Sequence, residues 1–173
     1  FDLVQKLTVN DVSCLHRGKA QYTCMLNHDG GIIDDLIIYY FSNDSFMLVV
    51  NAANSRKDFN WICNNNNMGV EIKDITHDRS LLAVQGPKAE SVLQDLTNIS
   101  LKDLPNYSFE ICEFAGCQDI IISNTGYTGS GGFELYFNKS YANIIWNSIF
   151  KTDNLVEPIG LAARDTLRLE MGF

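Results

Sequence analysis

The stretch Asn27-His28-Asp29-Gly30-Gly31-Ile32-Ile33-Asp34-Asp35-Leu36-Ile37-Ile38-Tyr39-Tyr40 reads as a tight turn followed by an apolar strand that carries two adjacent carboxylates. Successive side chains of a strand point to opposite faces. Ile33, Asp35, Ile37 and Tyr39 therefore share one face, and Ile32, Asp34, Leu36, Ile38 and Tyr40 share the other. Whichever face is core, one carboxylate lies among apolar groups. A carboxylate taken out of water is costly unless partners compensate. Such an aspartate is either hydrogen-bonded into the fold or held ready for a ligand, and the strand alone leaves both readings open.

Outward from this strand, Ala20 to Leu26 precedes it as a strand and Ser45 to Asn51 follows as a third, which makes an antiparallel meander. Asn54 or Ser55 is placed to cap a helix, with Asp58 as a capping-box variant and Phe59, Ile62 and Cys63 at helical spacing. The run Asn64-Asn65-Asn66-Asn67 reads as a helix exit using left-handed residues, and Val70 to Ile75 as a returning strand. These elements form a first subdomain over residues 1–78. A second, over 79–173, opens with a short buried strand at Leu81 to Val84. Gly86-Pro87 then starts a helix with Ala89, Val92, Leu93 and Leu96 on one stripe. Strands at Phe109 to Phe114, Asp119 to Ser123 and Phe133 to Phe137, a helix striped by Tyr141, Ile144, Ile145 and Ile149, and a last helix from Leu161 complete the chain. Hairpin-length links with interposed helices indicate an α+β fold of two antiparallel-sheet-plus-helix subdomains.

A second chemical cluster is Thr125-Gly126-Tyr127-Thr128-Gly129-Ser130-Gly131-Gly132-Phe133-Glu134, where four glycines in seven positions let the backbone approach another group closely. It lacks the Lys-Ser/Thr of a phosphate loop, and a strand rather than a helix follows it. A wide hairpin turn and a ligand loop both fit this pattern. Arg164, near the start of the last helix, can pair with Asp165, Glu157 or Glu170 on a solvated face.

Composition narrows the function classes. The chain has 173 residues, 46% of them apolar, so a sizeable core is available. A net charge of −8 argues against a phosphate-backbone partner, which calls for a concentrated basic surface. No run approaches the roughly 18 apolar residues of a membrane span, and no signal-peptide order opens the chain. Cys14, Cys24, Cys63, Cys112 and Cys117 are irregularly spaced and distant from the three histidines in any ligand pattern, so neither a metal nor a disulfide framework is expected. Cys24 and Cys63 read as small buried hydrophobes of a reducing compartment.

The ordered motifs Gly18-Lys19-Ala20-Gln21-Tyr22, Gly30-Gly31-Ile32-Ile33-Asp34-Asp35-Leu36, Val50-Asn51-Ala52-Ala53-Asn54 with Lys57-Asp58, Gln85-Gly86-Pro87, Thr125-Gly126-Tyr127-Thr128-Gly129 and Gly160 through Glu170 resemble the T proteins of the glycine cleavage system, the aminomethyltransferases, along the whole chain. The resemblance implies tetrahydrofolate as co-substrate, and as donor an aminomethyl group on the lipoyl arm of the H protein. The products are ammonia and 5,10-methylenetetrahydrofolate. It places the catalytic aspartate on Asp35 and folate-lining positions on Tyr22, Ile37, Tyr39, Asn51, Tyr127, Glu134 and Arg164. No metal is implied. The expected location is the bacterial cytoplasm, or the mitochondrial matrix of a eukaryote. Because Phe1 is no natural start and the last helix stops at Phe173, an N-terminal segment and a C-terminal barrel domain are expected to be missing, and the piece alone is expected to be inactive.

On this reading Asp34, facing away from Asp35, is structural. It is expected to accept N–H groups around the Asp29-Gly30-Gly31 turn or to pair with a cation. Asn124 departs from relatives that carry arginine there. The related iron–sulfur assembly factors are marked by a Lys-Gly-Cys-Tyr-x-Gly-Gln-Glu segment that this chain lacks. The folate domains of dimethylglycine and sarcosine dehydrogenases, or a non-catalytic folate-binding module, are the alternatives.

Overall fold

The computed structural model describes residues 1–152 and 156–173. It divides into two compact units, Phe1–Asp74 and Ile75–Phe173. The break falls just ahead of a 3₁₀ turn, Thr76–Asp78, that leads directly into the first strand of the second unit.

In the first unit, helix α1 (Asp2–Leu7) precedes strands β1 (Lys19–Leu26), β2 (Ile32–Ser42) and β3 (Ser45–Val50), and helix α2 (Ser55–Asn64) follows them. The strands form an antiparallel sheet in the order β1-β2-β3. Register sets Tyr22 opposite Ile37, Cys24 opposite Asp35 and Met25 opposite Asp34. The core face therefore carries Met25, Leu36 and Ile38, packed with Leu3, Val4 and Leu7 of α1, with Val12 and with Ile62 of α2. The opposite face carries Tyr22, Asp35 and Ile37. Strand parity thus decides the question posed by the two carboxylates: Asp34 is the one among apolar groups, 9% exposed, and Asp35 is half-buried.

The register shifts between Met25 and Leu26, where two steps along β2 oppose one along β1. This bulge leaves the Ile33 carbonyl outside the ladder, and Lys57 Nζ donates to it at 2.7 Å. The β1–β2 turn is closed by Asn27, whose Oδ1 accepts from Asp29 N at 3.0 Å and Gly31 N at 2.7 Å. Asp34 has no part in that turn, contrary to the expectation. A short amide at the turn's first position reaches those N–H groups without leaving the strand end.

Three local expectations fail for nameable reasons. Val70 to Ile75 is not a strand, because the Asn66 side chain takes both backbone groups of Val70, accepting from its N at 3.1 Å and donating to its O at 2.6 Å. The asparagine run supplies no left-handed residue. Asn65 caps the helix in a right-handed conformation, and the left-handed residue that follows is Gly69, at φ +69°. Cys63 is exposed rather than core, while Cys112 and Cys117 are the buried cysteines.

The second unit is a four-stranded antiparallel sheet in the order β4-β7-β6-β5. Its strands are β4 (Arg79–Gln85), β5 (Phe109–Phe114), β6 (Cys117–Ser123) and β7 (Gly132–Asn138), with helices α3 (Ala89–Gln94), α4 (Ala142–Thr152) and α5 (Leu161–Glu170). Alternation along the strands puts Phe114, Ile120, Ile122, Leu135 and Phe137 on one face. There they pack with Val92 and Leu93 of α3 and Ile145 and Ile149 of α4. The architecture is the α+β arrangement of two antiparallel sheets with helices that the sequence implied. Among the described residues, no helix is long and apolar enough to cross a membrane.

Candidate functional site

In the first unit the polar side chains converge where β2 leaves its bulge. Tyr22 sits one pair diagonally across from Asp35, a separation that long side chains bridge. Its hydroxyl donates to Asp35 Oδ2 at 2.9 Å. Asn51, just beyond the end of β3, turns its amide back over β2 and donates from Nδ2 to Asp35 Oδ1 at 2.8 Å and to Asp34 Oδ1 at 3.0 Å. Each Asp35 oxygen thus has its own donor, which fixes the plane of the carboxylate at a half-exposed position. Ile37 shares this face and is half-buried, and Tyr22 is 48% exposed. Tyr39 lies on the same strand face but is fully buried, with no surface of its own to offer a ligand.

Beneath lies a pair that the sequence did not reveal. Asp34 Oδ1 also accepts from Asp35 N at 3.0 Å. Burial pushes the Asp34 carboxyl up, but hydrogen bonds with the Asp58, Asn54 and Asn51 side chains and with Asp35 N–H outweigh it, and the net shift is downward. Asp58 does not cap α2. Its side chain has no exposed surface and points to Asp34. Burial first, then the hydrogen bond and charge of Asp34, raise the Asp58 carboxyl to about 6, against a smaller opposing pull from Lys57. A signal existed: Ser55, Asp58, Ile62 and Asn65 share one helical stripe, and Ile62 is core. Reading Asp58 as a cap assigned it to the wrong element.

In the second unit the glycine-rich loop is held at its base by Gln85, whose Nε2 donates to Thr125 O at 3.2 Å and Phe133 O at 3.3 Å. Gly126, at φ +155°, passes so close that a Cβ there would lie 2.3 Å from Gln85 Oε1. Glu134 is half-buried. Its Oε2 accepts from the Thr125 hydroxyl and, at 3.4 Å, from the Tyr136 hydroxyl. Thr125 itself is buried; with its one hydroxyl hydrogen given to Glu134, its Oγ1 accepts from the Ser123 hydroxyl at 3.0 Å. The Arg164 guanidinium lies 5.0 Å from the Tyr127 ring centroid, a cation–π contact. Asp165, a candidate partner for Arg164, is paired with Arg168 at 3.2 Å. The Asn124 amide donates to Leu104 O at 2.7 Å.

The structure therefore gathers Tyr22, Asp35, Ile37 and Asn51 on one face of the first unit; in the second it pairs Tyr127 with Arg164 and holds Glu134 separately through Thr125 and Tyr136. Gln85, Asp58 and Thr125 are the supporting residues that sequence reasoning missed, and Asp34, expected to be structural, is held by Asp35 N, Asn51 and Asp58 rather than by the turn. Among the described residues, no group of three or more histidine, cysteine or acidic side chains is arranged to hold a metal ion.

The family model of the GCVT N-terminal domain matches residues 1–173. Aminomethyltransferase of Flavobacterium psychrophilum is 57% identical over 99% of this chain and 48% of its own length. That of Caldanaerobacter subterraneus subsp. tengcongensis is 44% identical over 100% of the chain and 47% of its own. The chain spans about half the length of the curated relatives it matches. The crystal structure of glycine cleavage system aminomethyltransferase T from Bartonella henselae superposes with a TM-score of 0.84 at 34% identity, covering 99% of this chain and 46% of that one. A heterotetrameric sarcosine oxidase from Corynebacterium sp. U-96, at 13% identity and TM-score 0.61, shares the fold over 84% of this chain and 69% of its own.

Proposed function

The chain belongs to the GCVT N-terminal domain family, and from that premise we propose that it carries the tetrahydrofolate-facing carboxylate of an aminomethyltransferase. The donor in this reading is an aminomethyl group on the lipoyl arm of the glycine cleavage H protein. Its carbon becomes bonded to N5 and N10 of tetrahydrofolate while its bonds to sulfur and nitrogen break. The two folate N–H protons offset the leaving thiolate and amine, giving thiol, ammonia and 5,10-methylenetetrahydrofolate.

One observation carries the reading: the Asp35 carboxylate is held half-exposed by a separate donor on each oxygen, Tyr22 and Asn51. A carboxylate so fixed suits a site where positive charge develops as an amine leaves, and it can also accept a proton from the attacking nitrogen. Ile37 and the exposed Tyr22 ring offer flat apolar surface to a pterin. In the second unit, the hydroxyls of Thr125 and Tyr136 set the orientation of Glu134, which makes that carboxylate a suitable acceptor for the pterin amino and ring N–H edge. Tyr127 with its stacked Arg164 would serve the folate's remaining ring or its anionic glutamate tail.

The test is Asp35→Asn in the complete protein that carries this chain. Size and most hydrogen bonds are kept, and the anion is lost. Turnover is expected to fall by roughly 10²–10⁴ with folate affinity nearly intact. Undiminished turnover would remove Asp35 from the chemistry.

A further inference from the structure

The buried acids behind Asp35 leave an imbalance that one proton corrects. Asp34 Oδ2 and both oxygens of Asp58 are buried without any protein donor, although the two side chains lie within hydrogen-bonding reach of each other. Two carboxylates in contact cannot both be satisfied as anions. One must carry the hydrogen that lies between them. Lys57 does not replace that proton. Its Nζ is committed to Ile33 O at 2.7 Å and stands 3.7 Å from Asp58 Oδ1. The other groups connected to the pair are Asp35, Tyr22, Asn51 and Asn54, and none brings a positive charge.

We propose that Asp58 carries a proton that it donates to Asp34 Oδ2, and that this buried pair positions Asn51 and, through it, the Asp35 carboxylate. Asp34 acts with both ends of one rigid plane. Oδ2 is fixed by Asp58, so Oδ1 is held where it accepts from Asn51 Nδ2 at 3.0 Å and from Asp35 N at 3.0 Å. The Asn51 amide faces Asp34 Oδ1, Asp35 O and Asp35 Oδ1, which are all acceptors, so its NH₂ end must point inward. With its donors aimed, the amide presents one to the Asp35 carboxylate at 2.8 Å. Asp58 touches none of the reacting atoms. It is a positioning residue, and its catalytic consequence rests on the reading of Asp35 given above.

Protonation of Asp58 is favoured by folding, so the stability it contributes is fully present below the unfolded carboxyl range and is lost as pH rises through about 6. The experiment compares wild type, Asp58→Asn, Asp58→Ala and Asp35→Asn in the complete protein. An amide at 58 donates to Asp34 at every pH. The wild-type denaturant midpoint should therefore carry a decline between pH 5 and 7.5 that Asp58→Asn lacks. Assayed at pH 5.5, where wild-type Asp58 still holds its proton, Asp58→Ala, without a donor, should lower kcat by about tenfold or more while KM for folate stays within about twofold, and Asp58→Asn should restore most of that loss. If Asp58→Asn keeps the wild-type pH response of the midpoint, no proton is shared and the proposal is overturned. It is equally overturned if Asp58→Ala turns over like wild type per folded molecule while Asp35→Asn is impaired. Wild-type turnover in Asp35→Asn would sink the functional reading alone, because the pH response of the midpoint does not depend on it.

Discussion

At the scale of single residues, the two adjacent aspartates differ in what their strand faces give them. Asp34 looks into the core and is consumed by structure, accepting from Asp35 N and Asn51 Nδ2. Asp34→Ala would strand those donors, so a loss of about 1–3 kcal/mol is expected from urea midpoints. Asp35 looks outward, held but still reachable. Glu134 is the corresponding carboxylate of the second unit, oriented by Thr125 and Tyr136. Glu134→Ala should weaken folate binding by about 1.5–3 kcal/mol, the worth of charge-assisted hydrogen bonds, with H-protein affinity unchanged. Calorimetry against each ligand separates these. The reverse pattern would move Glu134 to a protein interface. Parity alone made Asp34 and Asp35 opposites, since a period of two is a property of any strand. It could not say that Asp34's partners are Asn51 and Asp58, because those residues lie 17 and 24 positions further along the chain.

Within elements, glycine content was visible in the sequence and glycine necessity was not. Gly30 has φ +81° and open space around it, so Gly30→Ala meets only backbone strain, about 1 kcal/mol. Gly126 is different. A methyl there would displace Gln85 from the carbonyls of Thr125 and Phe133 that it ties together. Gly126→Ala should therefore cost distinctly more than Gly30→Ala in denaturant midpoint, and it should also weaken folate binding, which Gly30→Ala should not. Equal midpoints would mean that Gln85 does not hold the loop. The strands and amphipathic helices were legible from their periods of 2 and 3.6. The failures have two causes. Asn66 binds both backbone groups of Val70 four residues on, a local competitor to strand pairing, whereas Asp58 is occupied by Asp34, a partner that only the folded chain supplies.

For the molecule as a whole, the same partners set its response to acid. Asp34 has its carboxyl held below the usual range, so its stabilisation is present above the unfolded value of 3.8 and is lost as pH falls through the lower folded one. Below pH 4, the wild type should lose stability more steeply than Asp34→Ala, which has no carboxyl left to protonate at that position. Acid titrations followed by far-ultraviolet circular dichroism check this. Each unit also rests on its own apolar layer, and Leu135→Ala, fully buried in the second, should cost about 2–5 kcal/mol. The sequence by itself determined the α+β class, the alternation that separates Asp34 from Asp35, and the motifs that placed the chain in its family. These follow from short-range periodicity and composition, which are written residue by residue. Only the tertiary structure decided that Asn51 bridges the two aspartates, that Asp58 is a buried acid rather than a cap and that Gln85 fastens the glycine loop. Each of these depends on which polar groups lose water together, and burial is a property of packed elements rather than of the chain that forms them.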